Sequence, residues 1–299
     1  MNSKAPPAPS ARRGVLLVLL AVLLFACMDT MGKHLMTKFN VPLVAMVRYV
    51  LNLMLILAIW GPLERKQLWS TRRTALVILR GISLVVSSLL MGLALQRMPV
   101  AETVAIIYLA PFGVLLLAGP LLGEKDGLAG WLAALAGFLG VLLIARPGSG
   151  LSIDGVLLAV AAAITSVGYI LLSRKLASTE STMAMLFFTS LVGMVFFGVM
   201  LPWNWTGPAF TLNDYVLLLA IGSGSLLAHY LFTAAYREAP ASLLAPANYM
   251  HIAWAVLLGW VIYDHVPDRW ALLGMALIAV AGASIALRTH LAKDLPKGI

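Results

Sequence analysis

Charge is scarce in this sequence of 299 residues, of which only 11% are Asp, Glu, Lys or Arg while 61% are hydrophobic. A soluble globular domain carries about 25% charged and about 45–50% apolar residues. The shortage excludes a soluble enzyme, a disordered tail and a nucleic-acid partner. Cysteine is almost absent too, and the single Cys27 excludes a disulfide framework, a cysteine-rich zinc site and an iron–sulfur cluster. We expect no metal and no cofactor.

Long apolar runs fill the chain instead, separated by charged residues or by Pro and Gly. A helix needs about 20 apolar residues to cross a bilayer, and the connections between the runs are short. The sequence therefore predicts an all-α membrane protein surrounded by lipid. The ten predicted transmembrane helices cover 14–32, 42–60, 75–95, 99–122, 128–145, 151–173, 183–201, 212–236, 240–263 and 270–288.

Lysine and arginine are distributed unevenly between the two sets of connections. If the N-terminus is cytoplasmic, 14 basic residues lie in cytoplasmic segments and 5 in outer segments. Cytoplasmic loops are enriched in Lys and Arg, so this asymmetry predicts that both termini are cytoplasmic. The net charge of +9 is then a signal of topology and of contact with anionic lipids.

The chain also matches itself at an offset of 141 residues, which places Gly14–Leu17 on Gly155–Leu158 and Tyr108 on Tyr249. Each copy contains five predicted helices, and an odd number inverts the second copy in the membrane. Inverted repeats are typical of secondary transporters, which bind a solute between the two halves. The predicted units are a cytoplasmic tail (1–13), a first repeat (14–146), a second repeat (151–288) and a second cytoplasmic tail (289–299).

Several short stretches are similar to those of a known family. They are Leu79–Gly81, Tyr108–Pro111, Leu122–Glu124, Ala239–Ala241 and Pro246–Tyr249. In order and spacing they resemble the drug/metabolite transporter superfamily, in its ten-helix branch of two EamA-type repeats. The resemblance implies a multi-pass transporter of the bacterial inner membrane that works by alternating access. It implies export or import of small metabolites, commonly amino acids, and within the family the sequence looks most like exporters of amino acids, including aromatic ones.

Other functions stay open at this point. One alternative within the same class is a transporter whose solute is a nucleobase, a sugar or a drug in place of an amino acid. A lipid flippase or an intramembrane enzyme belongs to a different class, and the enzyme needs a metal or nucleophile constellation. The sequence has no His-x-x-x-His pair on a predicted helix and no connection long enough to hold such a site. We expect a small-molecule solute as the partner, and a monomer or a homodimer.

Polar and aromatic residues inside the predicted helices are the candidates for solute contact, because polar groups in a bilayer usually face a cavity or another helix. The candidates are Tyr108, Tyr169, Tyr249, Trp254, Asn248, His251, Ser83, Ser87 and His229. For each of them, ordinary packing between helices is the alternative. Arg80, near the cytoplasmic end of its helix, is expected to extend to lipid phosphate.

Three charged residues, Asp29, Arg48 and Glu102, lie near the predicted outer ends of their helices. The first two helices are consecutive and antiparallel, so Asp29 is expected to pair with Arg48. The group is interpreted as an outer gate or an attraction point for a zwitterionic solute. The alternative is a structural ion pair or extension of the side chains to the membrane interface. Pro111 and Pro246 interrupt the fourth and ninth helices, where proline frees a backbone carbonyl and bends the chain. Each is a candidate hinge, with a static kink as the alternative.

The fifth and tenth helices contain few polar side chains but several small residues, such as Gly140 and Gly274. Small residues allow helices to approach closely in a membrane. We therefore expect these two helices at the periphery, packed on each other or in a dimer contact.

The topology is testable with reporter fusions. A reporter that works only in the cytoplasm should be active when it follows Ile299, because the charge asymmetry and the even number of helices put that end inside. The matched control is the same reporter inserted between the two repeats, after Gly148, where it should be inactive. An inactive reporter at the C-terminus would contradict the inverted arrangement.

Overall fold

The described part of the chain is helical, without a β-strand. The computed structural model describes residues 10–62, 68–122, 128–146, 148–176, 179–204, 208–239, 244 and 247–294. The helices are α1 (Ala11–Met36), α2 (Val41–Ile59), α3 (Thr74–Arg97), α4 (Val100–Ile107), α5 (Ala110–Leu122), α6 (Leu128–Ile144), α7 (Ile153–Leu176), α8 (Thr182–Asn204), α9 (Leu212–Glu238), α10 (Met250–Tyr263) and α11 (Arg269–Asp294).

Helix lengths follow the same order in both halves of the chain. In each half, three helices long and apolar enough to cross a membrane (α1–α3 and α7–α9) precede two shorter apolar helical stretches. The prediction of ten helices in two repeats is thereby confirmed, with α4 and α5 together forming the fourth. The first and the last helix of the chain are longer than their apolar stretches suggested. Helix α1 begins at Ala11 and α11 ends at Asp294, and both of these residues lie inside the predicted tails. Polar helix-forming residues continue a helix beyond the bilayer.

The fourth predicted helix is broken at Tyr108 and Leu109, which form a turn between α4 and α5. Pro111 is the second residue of α5, where its missing N–H belongs to the first turn and has no partner within the helix in any case. Tyr249, the repeat counterpart of Tyr108, stands directly before α10 in the same way. Both repeats therefore contain a helix that is interrupted at an equivalent tyrosine.

Helices pack mainly across the two repeats. The contact of α3 with α7 has its counterpart in the contact of α9 with α1, since the repeat relates α1 to α7 and α3 to α9. Three further contacts, α2 with α8, α4 with α10 and α6 with α11, join equivalent helices directly. This pattern is that of a pseudo-twofold axis running between the repeats.

The two ends of the bundle are held by contacts between the repeats. At the end that we call the Ser10 end, the Ser10 N–H donates to Glu238 at 3.1 Å. At the opposite end, the Lys33 end, Lys38 Nζ lies 3.0 Å from Asp214. Asp214 also completes a capping box with Thr211 that begins α9.

Helices α6 and α11 pack on each other at the periphery, as expected from their small residues. A Cβ atom built on Gly140 would lie 2.7 Å from the carbonyl oxygen of Gly274. The other face of α6 exposes large apolar side chains such as Trp131 and Phe138, as a lipid-facing surface does. Close backbone contact on one face and lipid on the other thus fix the position of α6.

This contact yields a prediction for stability. Gly140→Ala should lower the unfolding free energy by about 1–3 kcal/mol, because the added methyl group meets a backbone oxygen that cannot move away. Gly198→Ala, on α8, is the matched control, since nothing lies within 4 Å of its added Cβ atom. Melting temperatures of the purified proteins in detergent measure both effects. Equal melting temperatures would contradict the packing.

Candidate functional site

A cavity of about 70 Å³ lies between α2, α3, α7, α8 and α9. From the first repeat it is lined by Arg48, Tyr49, Asn52, Arg80, Leu84 and Ser88. From the second repeat it is lined by Tyr169, Leu186, Thr189, Ser190, Ser225 and His229. We call it the central cavity. Pockets for drug-sized ligands have about 300–1,000 Å³, so the surrounding helices must separate before a metabolite fits.

Arg80 extends from α3 into this cavity, and only 5% of the residue is exposed. Its Nε donates to Ser173 Oγ at 2.7 Å, and its Nη1 donates to Thr189 Oγ1 at 2.9 Å. Nη1 also donates to the Met185 carbonyl at 3.2 Å, and Nη2 donates to the Tyr169 hydroxyl at 3.0 Å. All four partners are neutral. They fix the direction of the guanidinium group without compensating its charge.

A second arginine and an amide line the same cavity. Arg48 Cζ lies 4.9 Å from the centre of the Tyr49 ring, a cation–π distance. The Tyr49 hydroxyl is 3.0 Å from Ser88 Oγ, which holds the ring in place. Asn52 is 7% exposed, and its buried Oδ1 has no hydrogen-bond partner among the described residues. Buried polar atoms in proteins are nearly always hydrogen-bonded, so this acceptor is suited to a donor on a bound molecule.

The other histidine and tyrosine candidates form a second cluster at the helix breaks. The rings of Tyr108 and Tyr249 are 5.1 Å apart, and the Tyr108 hydroxyl donates to the Asn248 carbonyl at 2.8 Å. The His251 ring is 5.8 Å from that of Tyr108. The ring of Phe25, on α1, separates this cluster from the central cavity, because it lies 6.2 Å from the His251 ring and 5.0 Å from the His229 ring.

Asp29 contacts this second cluster rather than Arg48. Asp29 Oδ2 is 3.2 Å from His251 Nε2, with both side chains largely buried. Neither atom has a hydrogen bond of good geometry among the described residues, so their interaction depends on charge and on protonation of the imidazole. The expected pairing with Arg48 is wrong because α1 packs mainly on α9 and α10, whereas α2 packs mainly on α8 and α9.

Further contacts close the Lys33 end near this pair. Glu102, 3% exposed, lies on α4 with its Oε1 2.9 Å from His265 Nε2. Asp264 ends α10 in a left-handed conformation (φ 51°), which turns the chain so that His265 reaches back to α4. Lys33 Nζ donates to the carbonyls of Leu95 and Met98 at 2.6 Å each. Glu102 and Asp29, predicted as gate residues, thus each contact a histidine of the second repeat.

Three further predicted solute contacts lie outside both the central cavity and the second cluster. Ser87 is buried between α3 and α7, where its hydroxyl donates to the Ala162 carbonyl at 3.0 Å. Ser83 donates to a carbonyl of its own helix. Trp254 packs in an apolar cluster with Val22. Helical spacing shows that Ser83 and Ser87 share one face of α3, but it does not identify the helix that this face meets. In the structure the serine face of α3 meets α7.

Arg80 and Asn52 are among the cavity residues that the sequence interpretation missed. Arg80 was expected to reach lipid, yet it points inward, and Asn52 was not singled out. A signal existed for Arg80, since it is at helical spacing from two serines on an inward face. Of the two candidate hinges, Pro111 is exposed beside the break before α5, while Pro246 lies outside the described residues.

Ten helices in two five-helix repeats, with a polar cavity lined by both, define a multi-pass membrane transporter and exclude an enzyme built on a soluble site. The chain belongs to the EamA-like transporter family, whose sequence pattern matches residues 12–146 and 153–287. Its bacterial relatives are integral membrane transporters of small metabolites.

The relatives differ in what they carry. The chain is 30% identical to a riboflavin transporter of Vibrio cholerae over 91% of this chain and 92% of that protein. It is 29% identical to the pseudopaline exporter CntI of Pseudomonas aeruginosa, over 90% and 94% of the two chains. It is 26% identical to an S-adenosylmethionine uptake transporter of Rickettsia bellii, over 88% and 89%. A solved structure with 19% identity has a TM-score of 0.66 over 94% of this chain and 98% of that one, which shows the fold.

The Asp29–His251 contact yields a testable coupling. Asp29→Ala or His251→Ala alone should lower the unfolding free energy by roughly 1–3 kcal/mol, because each leaves the other largely buried group without its electrostatic partner. The double variant should be less unstable than the sum of the two single variants. A cycle on Arg146 and Asp268 is the control, since that pair is more exposed and should couple by less than about 1 kcal/mol. Additive effects at Asp29 and His251 would show that they do not interact.

Proposed function

We propose that the chain is a secondary transporter that works by alternating access and exports small metabolites, with amino acids, including aromatic ones, as its solutes. The observation that carries the proposal is the lining of the central cavity, to which each repeat contributes six residues. A site between two repeats is exposed to one side or the other when the repeats rock against each other.

The contacts at the Lys33 end support this mechanism. Lys38–Asp214, Glu102–His265 and Asp29–His251 each join one repeat to the other. Together they hold that end closed, and a route from the central cavity to the Lys33 end opens only when they separate. Several cavity residues, such as Arg80 and Leu186, lie within the first two turns of helices that begin at the Ser10 end. If the termini are cytoplasmic, the cavity is loaded from the cytoplasm, as an exporter requires.

The side chains around the cavity suit an amino acid with an aromatic group. Tyr49, Tyr169 and His229 supply aromatic surface, while Ser190 and Ser225 supply hydroxyl groups. Small-molecule sites typically combine apolar or aromatic walls with a few polar groups that orient the ligand. The resemblance of the sequence to amino-acid exporters supports the same class of solute.

A riboflavin-like solute is the second candidate. The observation in its favour is the 30% identity with the riboflavin transporter of Vibrio cholerae over nearly the whole of both chains. The aromatic walls of the central cavity also suit a planar ring system. The two candidates differ in chemistry, because an amino acid carries a carboxylate and riboflavin does not.

Counterflow in proteoliposomes tests the proposal. Vesicles loaded with unlabelled phenylalanine should accumulate labelled phenylalanine, whereas vesicles loaded with riboflavin should not. The Tyr169→Ala variant should reduce the apparent affinity by roughly tenfold or less, because an aromatic contact contributes about 0.5–1.5 kcal/mol beyond its buried area. Leu139→Ala, on the lipid-facing side of α6, is the control. Exchange of riboflavin but of no amino acid would replace the first candidate by the second.

Alternating access has its own test, for which the single cysteine is convenient. In a Cys27→Ser background, Lys38→Cys and Asp214→Cys place thiols on both repeats at the Lys33 end. A cleavable bifunctional thiol reagent should stop counterflow by holding that end closed, and reduction should restore it. Lys38→Cys alone, treated in the same way, should remain active. Unchanged transport in the cross-linked protein would rule out opening at this end.

A further inference from the structure

The central cavity contains two guanidinium groups and no carboxylate among the described residues that line it. Arg80 is nearly buried, and all of its hydrogen-bond partners are neutral. Neither Arg48 nor Arg80 takes part in the four ion pairs of the described part of the chain. Buried charges in proteins are normally paired, so this arrangement favours an anionic group on a bound molecule.

Four of the acidic residues that the structure describes are engaged elsewhere. Asp29 and Glu102 contact histidines, and Asp214 contacts Lys38. Glu180 accepts hydrogen bonds from the backbone N–H groups of Arg72 and Arg73 at the Ser10 end. One of these carboxylates could compensate the positive charge of the cavity only if its present contact with another part of the bundle were broken.

The donors in the cavity are held in fixed positions. Four hydrogen bonds direct the guanidinium of Arg80, whose Cζ also lies 4.5 Å from the centre of the Tyr169 ring. A guanidinium has five N–H groups, so one on Nη2 remains for a ligand. Arg48 is held over the Tyr49 ring. Preorganised arginines are well suited to carboxylates, since little side-chain freedom is lost on binding.

One acceptor complements these cations. The Oδ1 atom of Asn52 is buried in the same cavity without a hydrogen-bond partner among the described residues. It cannot bind a carboxylate, but it can accept from an N–H or O–H group beside one. The cavity therefore offers donors for an anion and an acceptor for a neighbouring donor.

We propose that Arg48 and Arg80 bind the carboxylate of the solute and that Asn52 accepts a hydrogen bond from its ammonium group. The solute class is then the small zwitterionic carboxylic acids, of which α-amino acids are the simplest. The proposal rests on the proposed function in that it places the transported solute in the central cavity. It adds which groups of the solute the site requires.

Three probes of the same shape test which groups are needed. The purified full-length chain in nanodiscs is titrated calorimetrically with phenylalanine, with 3-phenylpropionate, which lacks the ammonium group, and with 2-phenylethylamine, which lacks the carboxylate. Phenylalanine should bind most tightly and 3-phenylpropionate more weakly. The amine should bind roughly ten- to a hundredfold more weakly than phenylalanine, because it forms no charge-assisted bond with the arginines.

Two variants assign the groups to residues. Arg48→Gln should weaken both carboxylates by roughly tenfold or more and leave the amine unchanged. Asn52→Leu should weaken phenylalanine and leave 3-phenylpropionate unchanged. Arg48 is preferred to Arg80 for this test, because Arg80 joins α3 to α7 and α8 and its loss affects folding. Arg72→Gln is the matched control, since it removes an exposed positive charge outside the cavity.

The outcomes separate this proposal from the proposed function. Equal binding of the amine and phenylalanine overturns the proposal, as does undiminished carboxylate binding by Arg48→Gln, or binding of neither carboxylate. Phenylalanine counterflow that Arg48→Gln leaves intact would keep the proposed function and reject this site. Arg48-dependent binding of 3-phenylpropionate without counterflow of any amino acid would keep the site and reject amino-acid export.

Discussion

Packing between the two repeats is the interaction on which the rest of this structure depends. Lipid tails are as apolar as the side chains of another helix, so the hydrophobic effect does not drive helices together in a membrane. Membrane helices associate instead through close packing and hydrogen bonds. Here the contact of α1 with α9 is the repeat equivalent of the contact of α3 with α7. The contacts of α2 with α8, α4 with α10 and α6 with α11 each join two equivalent helices. A repeat alone would leave these surfaces without partners. The cavity exists because two copies meet.

The distribution of polar groups follows from this arrangement. At the Lys33 end, carboxylates of the first repeat face histidines of the second, and Lys38 faces Asp214. In the proposed mechanism the repeats separate at these contacts, so their strength would set how readily that end opens. Deeper in the bundle, Arg48 and Arg80 line the central cavity, which has no carboxylate among its described lining residues. The charges at the Lys33 end are thus paired within the protein, whereas the two arginines of the cavity take part in none of these ion pairs.

The sequence predicted the fold better than it predicted the site. The apolar runs determine the helices, and the offset of the repeat relates Tyr108 to Tyr249, which the structure places 5.1 Å apart. The partner of Asp29 was not predictable from adjacency in the chain, because α1 and α2 pack chiefly on helices of the other repeat. The direction of Arg80 was indicated only by its helical spacing from two serines, which did not identify its partners. A long side chain near a helix end can reach lipid or turn inward, and only the hydroxyl groups of α7 and α8 decide between the two.

The two helix breaks are joined in a way that links them mechanically. A break frees backbone carbonyls that lipid cannot satisfy. The Asn248 carbonyl, before α10, accepts from the Tyr108 hydroxyl, which stands at the break between α4 and α5. A side chain at one break thus satisfies the backbone at the other. Movement of α10 away from α4 would expose that carbonyl unless Tyr108 moved with it, so the two broken helices are expected to move as a unit. In the proposed mechanism such a pair would carry movement at the Lys33 end to Phe25, whose ring lies between the rings of His251 and His229.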